Sequence, residues 1–142
     1  MIDRDLITRK EKNIQEYLGK LEPLLASEAR QIIDDEIKLH AIERLFQLTV
    51  DTAIDINTHI ITELNFIVPD DYYSTFITLG ENKVLSPELA RKIARSVGLR
   101  NMIIHKYGEV DIKRMVDEIK ANIGDYIEYK KQVKYRYIPF VY

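Results

Sequence analysis

The stretch LRNMIIHKYG at 99–108 carries the densest set of chemically capable groups in the chain. An imidazole can accept and return a proton near neutral pH. A guanidinium can bind a phosphate through two hydrogen bonds and offset the negative charge that develops on it. The stretch therefore suits phosphodiester chemistry. Its guanidinium, amide, imidazole, ammonium and phenol groups belong to Arg100, Asn101, His105, Lys106 and Tyr107.

RNA supplies its own nucleophile, the 2′-hydroxyl. With His105 as general base and Arg100 as an electrostatic clamp, attack of that oxygen on the adjacent phosphorus would leave a 2′,3′-cyclic phosphate. This chemistry needs neither a metal nor a thiol, and the chain contains no cysteine. Inward Glu-x-x-His pairs and the His-Glu-x-x-His motif are also absent from the sequence. We therefore predict no metal site and no cofactor.

The spacing within this stretch limits how its groups can meet. On a helix, Asn101 and His105 lie four residues apart on one face, so that the amide can orient the imidazole. Arg100 and His105 lie about 140° apart around the axis and do not converge on a straight helix. Either the helix distorts near its end, or a second copy of the chain completes the site in a symmetric dimer. A structural role is the alternative, because cationic groups near a helix end also satisfy its last carbonyls.

Apolar residues recur with a helical period along most of the chain. They predict an all-α, up-and-down bundle of about five helices in a single domain, 1–142. Gly98 would lie inside the fourth helix at a cost of about 1 kcal/mol relative to alanine, which suggests close packing against another backbone. The predicted helices begin after Asp3, from about Ser27 with a break or new start near residue 35, at 71–80, from Pro87 toward His105 and at 112–131.

The net charge of −2 is divided unequally along the chain. Residues 1–82 carry 8 basic and 16 acidic side chains, whereas residues 83–142 carry 13 and 7. The basic half suits an anionic partner, although oppositely charged helices that pack together would give the same division. The apolar runs are far shorter than the roughly 20 residues of a membrane span, and the charged N-terminus lacks a secretory signal. We therefore expect a cytoplasmic protein with no membrane partner.

The residues Arg100, Asn101, His105 and Tyr107 match the pattern RNxxxHxY, which resembles the signature of HEPN-domain toxins of the HepT type. The resemblance extends to the long helix at 43–63 and to the short helix and the final helix that flank the motif. It implies a HEPN-like homodimer that cleaves RNA without metal.

In this interpretation, Arg100 and His105 of both chains are catalytic and line a cleft at the dimer interface. Asn101 supports them, and Arg95 and Lys106 are candidates for contact with RNA.

The resemblance also implies a protein partner, a minimal nucleotidyltransferase (MNT) antitoxin, with which the chain would form a type VII-like toxin–antitoxin pair. Such a partner transfers AMP from ATP onto the motif tyrosine, here Tyr107. The added phosphates would compete with RNA for Arg100 and Lys106. The alternative is a non-catalytic helical interaction or nucleotide-binding module that keeps the motif for packing. No basic recognition helix supports a transcriptional regulator.

Residues 132–142 form a basic and aromatic tail that departs from the family pattern. Pro139 is incompatible with a helix interior, and we predict an extended segment. The tail could stack nucleobases, dock the antitoxin or cover the dimer. Packing is the role that we favour.

Overall fold

The computed structural model describes residues 1–105 and 111–138, and helices account for most of both ranges. Neither range contains a β-strand, so the all-α prediction is confirmed. None of the helices described there is long and apolar enough to cross a membrane. In chain order, the helices are α1 (Arg4–Leu25), α2 (Ala29–Ile33), α3 (Glu36–Glu63), α4 (Tyr72–Glu81), α5 (Pro87–Ala94), α6 (Ser96–His105) and α7 (Ile112–Tyr137).

Five of these helices begin at an aspartate or serine whose side chain accepts a hydrogen bond from a backbone N–H three residues later. The donor–acceptor distances are 2.7–3.2 Å. Each such cap stabilises a helix by about 1 kcal/mol. Four of these starts are predicted by the sequence and confirmed; near residue 35, where the sequence left a break or a new start open, the structure has a new start. The capping residues are Asp3, Asp35, Asp71, Ser86 and Asp111.

The helix predicted from Pro87 toward His105 is divided into α5 and α6, and Arg95 lies between them. The hydroxyl of Ser96 donates a hydrogen bond of 2.6 Å to the carbonyl of Ile93. A side-chain hydroxyl that binds a nearby carbonyl competes with the regular helical hydrogen bonds. The same hydroxyl lies 2.6 Å from the Tyr126 hydroxyl of α7, so the break is fixed by a contact between helices. This break and the separate helix α2 raise the number of helices above the predicted five.

The prediction of close packing at Gly98 is wrong within the protomer. Within residues 1–105 and 111–138, a Cβ added at Gly98 would meet no atom within 4 Å, apart from its neighbours in the helix. The close approach occurs instead at Gly80 of α4, where an added Cβ would lie 2.5 Å from the Cβ of Ala90 in α5. Gly80 therefore lets α4 and α5 pack closely, and in the part of the chain that the structure describes Gly98 has no such role.

The predicted extended tail is wrong over residues 132–137, because α7 continues to Tyr137. Val133 and Tyr137 are buried and continue the stripe of Tyr126 and Tyr129 at helical spacing. Burial of these side chains therefore stabilises the last turns of α7. Ile138 follows the last helical residue. It directly precedes Pro139, and a residue before a proline avoids the helical conformation. Residues 139–142 lie outside the described residues.

A buried chain of hydrogen bonds links α7, α3 and α4. The Tyr129 hydroxyl donates to Asn57 Oδ1 at 2.6 Å, and the Asn57 amide donates to Thr75 Oγ1 at 3.2 Å. Thr75 in turn donates to the backbone carbonyl of Tyr72 at 2.7 Å. Burial raises the pKa of Tyr129 well above its ordinary value, so its hydroxyl keeps the proton that it donates. This network fixes the first turn of α4 against α3.

Candidate active site

The guanidinium of Arg100 is held by residues from three helices. Its Nε donates to Asp51 Oδ1 of α3 at 2.7 Å. Its Nη1 donates to the side-chain carbonyl of Asn101, the next residue of α6, at 2.9 Å. The ring of Tyr72 in α4 lies under the guanidinium, 5.5 Å from ring centroid to Cζ. One edge and one face of the cation are therefore fixed by its neighbours.

The environment of Arg100 leaves part of its binding capacity available. An arginine side chain carries five N–H donors, and the contacts with Asp51 and Asn101 use one donor on Nε and one on Nη1. The Arg100 side chain is 18% exposed and that of Asp51 is 33% exposed, so this ion pair is only partly screened by water. The other three N–H groups, one on Nη1 and two on Nη2, are not used by these two contacts, and such groups suit a phosphate.

His105 is the last residue of α6 and is exposed. Asn101 is also exposed, and the two residues lie four apart on one face of the helix, as the spacing predicts. The carbonyl of Asn101, however, accepts its hydrogen bond from Arg100. The orientation of the imidazole by Asn101 therefore stays a prediction, while the amide links directly to the guanidinium.

The other predicted site residues are Arg95, Lys106 and Tyr107. Arg95 is exposed at the junction of α5 and α6, five residues before Arg100. Its position next to the same helix is compatible with contact to a bound polyanion. Lys106 and Tyr107 lie outside the described residues.

The outward side of α6 carries two partly exposed apolar side chains. Met102 is 43% exposed and Ile104 is 38% exposed, and both lie among the exposed Gly98, Asn101 and His105. Large apolar side chains at a surface often mark an interaction site when they are contiguous. The candidate catalytic imidazole therefore shares the outward side of α6 with two apolar side chains that another molecule could cover.

Asp51 and Tyr72 are the site residues that sequence reasoning missed. Asp51 lies 49 residues before Arg100, and no local motif connects the two positions. Tyr72 lies on the same helix, α4, as Phe76 and Leu79. Those two side chains are fully buried, whereas Tyr72 is 52% exposed. The exposure of Tyr72 follows from its place in the first turn of α4, where it covers Arg100.

Among the described residues, no group of three or more histidine, aspartate and glutamate side chains is arranged to hold a metal ion. The contact between His40 and Glu43 of α3 is long, at 4.0 Å, and joins neighbouring turns of one helix. The organised polar groups of this region are therefore those around Arg100.

Comparison with protein families gives a match over most of the chain. The model of a family described as Ribonuclease HepT-like matches residues 14–133. A tRNA nuclease HepT from Aphanizomenon flos-aquae (strain 2012/KM1/D3) is 40% identical over 91 residues, which span 64% of this chain and 62% of that protein. An mRNA nuclease HepT from Shewanella oneidensis is 22% identical over 130 residues, or 92% of this chain and 97% of that protein.

A solved structure shares the fold. The tri-AMPylated HEPN toxin of Shewanella oneidensis, in complex with MNT antitoxin, superposes with a TM-score of 0.84 at 21% identity. The superposition covers 95% of this chain and 99% of that chain. The HEPN-like fold and the resemblance to HepT-type toxins that the sequence predicted are both confirmed.

Proposed function

Since the chain belongs to the HepT-like ribonuclease family, we propose that it is the toxin of a type VII-like toxin–antitoxin pair and cleaves RNA without a metal ion. The observation that carries the proposal is the fixed guanidinium of Arg100, which Asp51 binds through Nε, and whose contacts with Asp51 and Asn101 among the described residues use two of its five N–H donors. His105 lies little more than one turn further along α6. A cation for the phosphate and a base for the nucleophile thus come from one helix.

The reaction is an internal transfer at phosphorus. His105 removes the proton of a 2′-hydroxyl, and the 2′-oxygen attacks the adjacent phosphorus while the bond from phosphorus to the 5′-oxygen breaks. The leaving oxygen takes a proton, from water or from a protonated imidazole. Arg100 stabilises the charge that develops on the phosphoryl oxygens. The products are a 2′,3′-cyclic phosphate and a free 5′-hydroxyl, and no water is consumed.

Metal removal tests this mechanism directly. With purified protein and single-stranded RNA, we expect cleavage to continue in excess EDTA, because the side chains supply both the base and the charge stabilisation. The new 3′ ends should carry cyclic phosphate, detected by mass spectrometry. Loss of cleavage in EDTA with recovery in Mg²⁺, or 3′-hydroxyl products, would contradict the mechanism.

We also propose that the active form is a homodimer in which the outward sides of two α6 helices meet. Arg100 and His105 lie about 140° apart around α6, so one copy alone presents them in different directions. A two-fold axis can bring Arg100 of one chain near His105 of the other chain. The exposed Met102 and Ile104 would be covered by this contact.

Gly98 provides a test of the dimer. A glycine within a helix costs about 1 kcal/mol relative to alanine, and none of the described residues outside its own helix lies close enough to Gly98 to explain the glycine. A small residue there would let two α6 helices approach closely. We therefore expect Gly98→Leu to shift the protein from dimer to monomer in size-exclusion chromatography with light scattering, without lowering the thermal stability of the monomer.

Gly19 of α1 and Gly124 of α7 are matched controls for this substitution. Both are exposed helical glycines at which an added Cβ meets nothing within 4 Å. Gly19→Leu and Gly124→Leu should remain dimeric. A Gly98→Leu protein that is as dimeric and as active as the wild type would exclude α6 from the interface.

The antitoxin partner that we propose is an MNT protein that transfers AMP from ATP onto Tyr107. The structural neighbour from Shewanella oneidensis is a tri-AMPylated HEPN toxin in complex with MNT antitoxin, which supports this class of partner. Tyr107 follows His105 by two residues, so AMP groups attached there would bring phosphates close to the imidazole. Their negative charge and volume would exclude RNA from Arg100 and Lys106.

Intact mass measures this modification. After co-expression with the cognate nucleotidyltransferase, we expect the mass of the chain to rise by one or more AMP increments and its RNA cleavage to fall. Tyr107→Phe should remove the increments because it lacks the phenolic oxygen. Tyr135→Phe is the control, since Tyr135 is 84% exposed but lies far along α7. AMP increments that persist in Tyr107→Phe would refute the assignment.

A further inference from the structure

Tyr72 presents an aromatic surface beside the proposed phosphate site. It is the first residue of α4 and is 52% exposed, although one side of its ring lies against the guanidinium of Arg100. Its backbone is fixed, because the carbonyl accepts a hydrogen bond from Thr75, which belongs to the buried network with Asn57 and Tyr129. The ring is thus anchored at its base, and about half of the residue is exposed to solvent.

The surroundings of Tyr72 suit an uncharged part of a nucleotide. Asp70 and Asp71 directly precede it, and the carboxylate of Asp71 caps α4. These carboxylates disfavour a phosphate near the start of α4. A planar nucleobase carries no charge and stacks on aromatic side chains. The ring centroid lies 5.5 Å from the Arg100 Cζ, so a base on Tyr72 and a phosphate on Arg100 would be next to each other.

We propose that Tyr72 stacks with the nucleobase adjacent to the cleaved phosphate, which makes unpaired RNA the substrate class of this site. The inference rests on the proposed ribonuclease function and adds a base-binding residue to it. Arg100, Tyr72 and the base form one stack, in which the cation binds the phosphate and the ring orients the nucleotide. A base within a duplex already stacks on its neighbours and has no free face for Tyr72, so paired RNA does not use this contact.

A cycle of protein and RNA variants tests the contact. Binding is measured with a short single-stranded oligoribonucleotide made uncleavable by 2′-deoxy substitution, together with a set in which one position at a time is abasic. We expect Tyr72→Ala to weaken binding about 5- to 150-fold, the range for loss of one base stack. One abasic position should cause the same loss with wild-type protein and no further loss with Tyr72→Ala. Tyr72→Phe should bind normally, because it keeps the ring.

Two further variants separate stacking from a structural role. Tyr72→Leu keeps an apolar cover on Arg100 but has no aromatic face, and it should behave like Tyr72→Ala. Tyr73→Ala is the matched control, because Tyr73 is 45% exposed and lies next along α4. Tyr73→Ala should lose as much affinity as the wild-type protein when that position of the RNA is made abasic.

The outcomes distinguish this inference from the proposed function. If every abasic penalty is the same in Tyr72→Ala as in wild type, Tyr72 does not stack with a base, whether or not the protein cleaves RNA. Equal weakening by Tyr72→Ala of single-stranded and fully paired RNA would also overturn the inference. If the cycle shows coupling but the wild-type protein does not cleave natural RNA, the stacking contact stands and the ribonuclease mechanism fails.

Discussion

His105→Ala is expected to lower the rate of RNA cleavage about 10²- to 10⁴-fold, the usual contribution of a positioned general base. Arg100→Ala should have an effect of at least about 10²-fold, because it removes the charge that stabilises the phosphoryl oxygens in the transition state. Rates at saturating RNA measure both effects. The same variants should lose the ability to inhibit growth when expressed in cells.

His40→Ala is the matched control for the histidine. The His40 side chain is 56% exposed near the start of α3 and is not part of the group around Arg100. This variant should cleave RNA at the wild-type rate. If His105→Ala and Arg100→Ala also cleave at that rate, the catalytic assignment is wrong. If they instead unfold at lower temperature with no cleavage to lose in the wild type, the motif serves packing.

Mixing the two inactive variants tests whether the site is shared between chains. If each site takes Arg100 from one chain and His105 from the other, a mixed dimer contains one intact site. Random exchange of subunits should then restore about one quarter of the wild-type activity, since half of the dimers are mixed and each has one of two sites intact. No recovery, with exchange verified by mass spectrometry, would exclude a site that needs only Arg100 of one chain and His105 of the other.

Properties that depend on neighbouring residues were predictable from this sequence. A helix start requires only a side chain that caps the following turn, and Ser86 before Pro87 specifies such a start within two residues. The buried stripe of α7 likewise follows from helical spacing. The RNxxxHxY pattern is also local, which explains how the family could be identified from 100–107.

Features that depend on distant partners were not predictable in the same way. The break between α5 and α6 involves the contact of Ser96 with Tyr126, 30 residues away. The continuation of α7 to Tyr137 depends on burial by other helices, which outweighs the proximity of Pro139. Spacing along one helix identified Arg100 and His105 but gave no information about the side chains that hold Arg100.

Those supporting side chains explain why an arginine in this position is suited to catalysis. A long, flexible side chain loses conformational freedom when it binds a phosphate. The contacts of Arg100 with Asp51 and Tyr72 restrict it before RNA arrives. Less ordering remains to be done in the transition state, so binding of the developing charge costs less free energy. Asp51 is therefore a positioning residue in this mechanism.

Asp51→Ala is expected to lower kcat about 10- to 100-fold, in line with the loss of a hydrogen bond to a charged group. The KM for RNA should stay constant or fall, because the substitution also removes a negative charge near the bound phosphate. Asp51→Asn keeps an oxygen that can accept from Arg100 Nε and should recover part of kcat. Steady-state kinetics of the three proteins measure this division between kcat and KM.

Asp55→Ala is the matched control, because Asp55 lies one turn further along α3 and pairs with Lys10 at 3.2 Å, away from Arg100. It should leave kcat and KM unchanged. A rise in kcat in Asp51→Ala would mean that the carboxylate competes with RNA for the guanidinium and restrains the enzyme. A rise in KM at constant kcat would instead mean that Asp51 shapes the RNA-binding surface. A lower kcat at unchanged KM is expected only if Asp51 holds Arg100 in the geometry that the transition state requires.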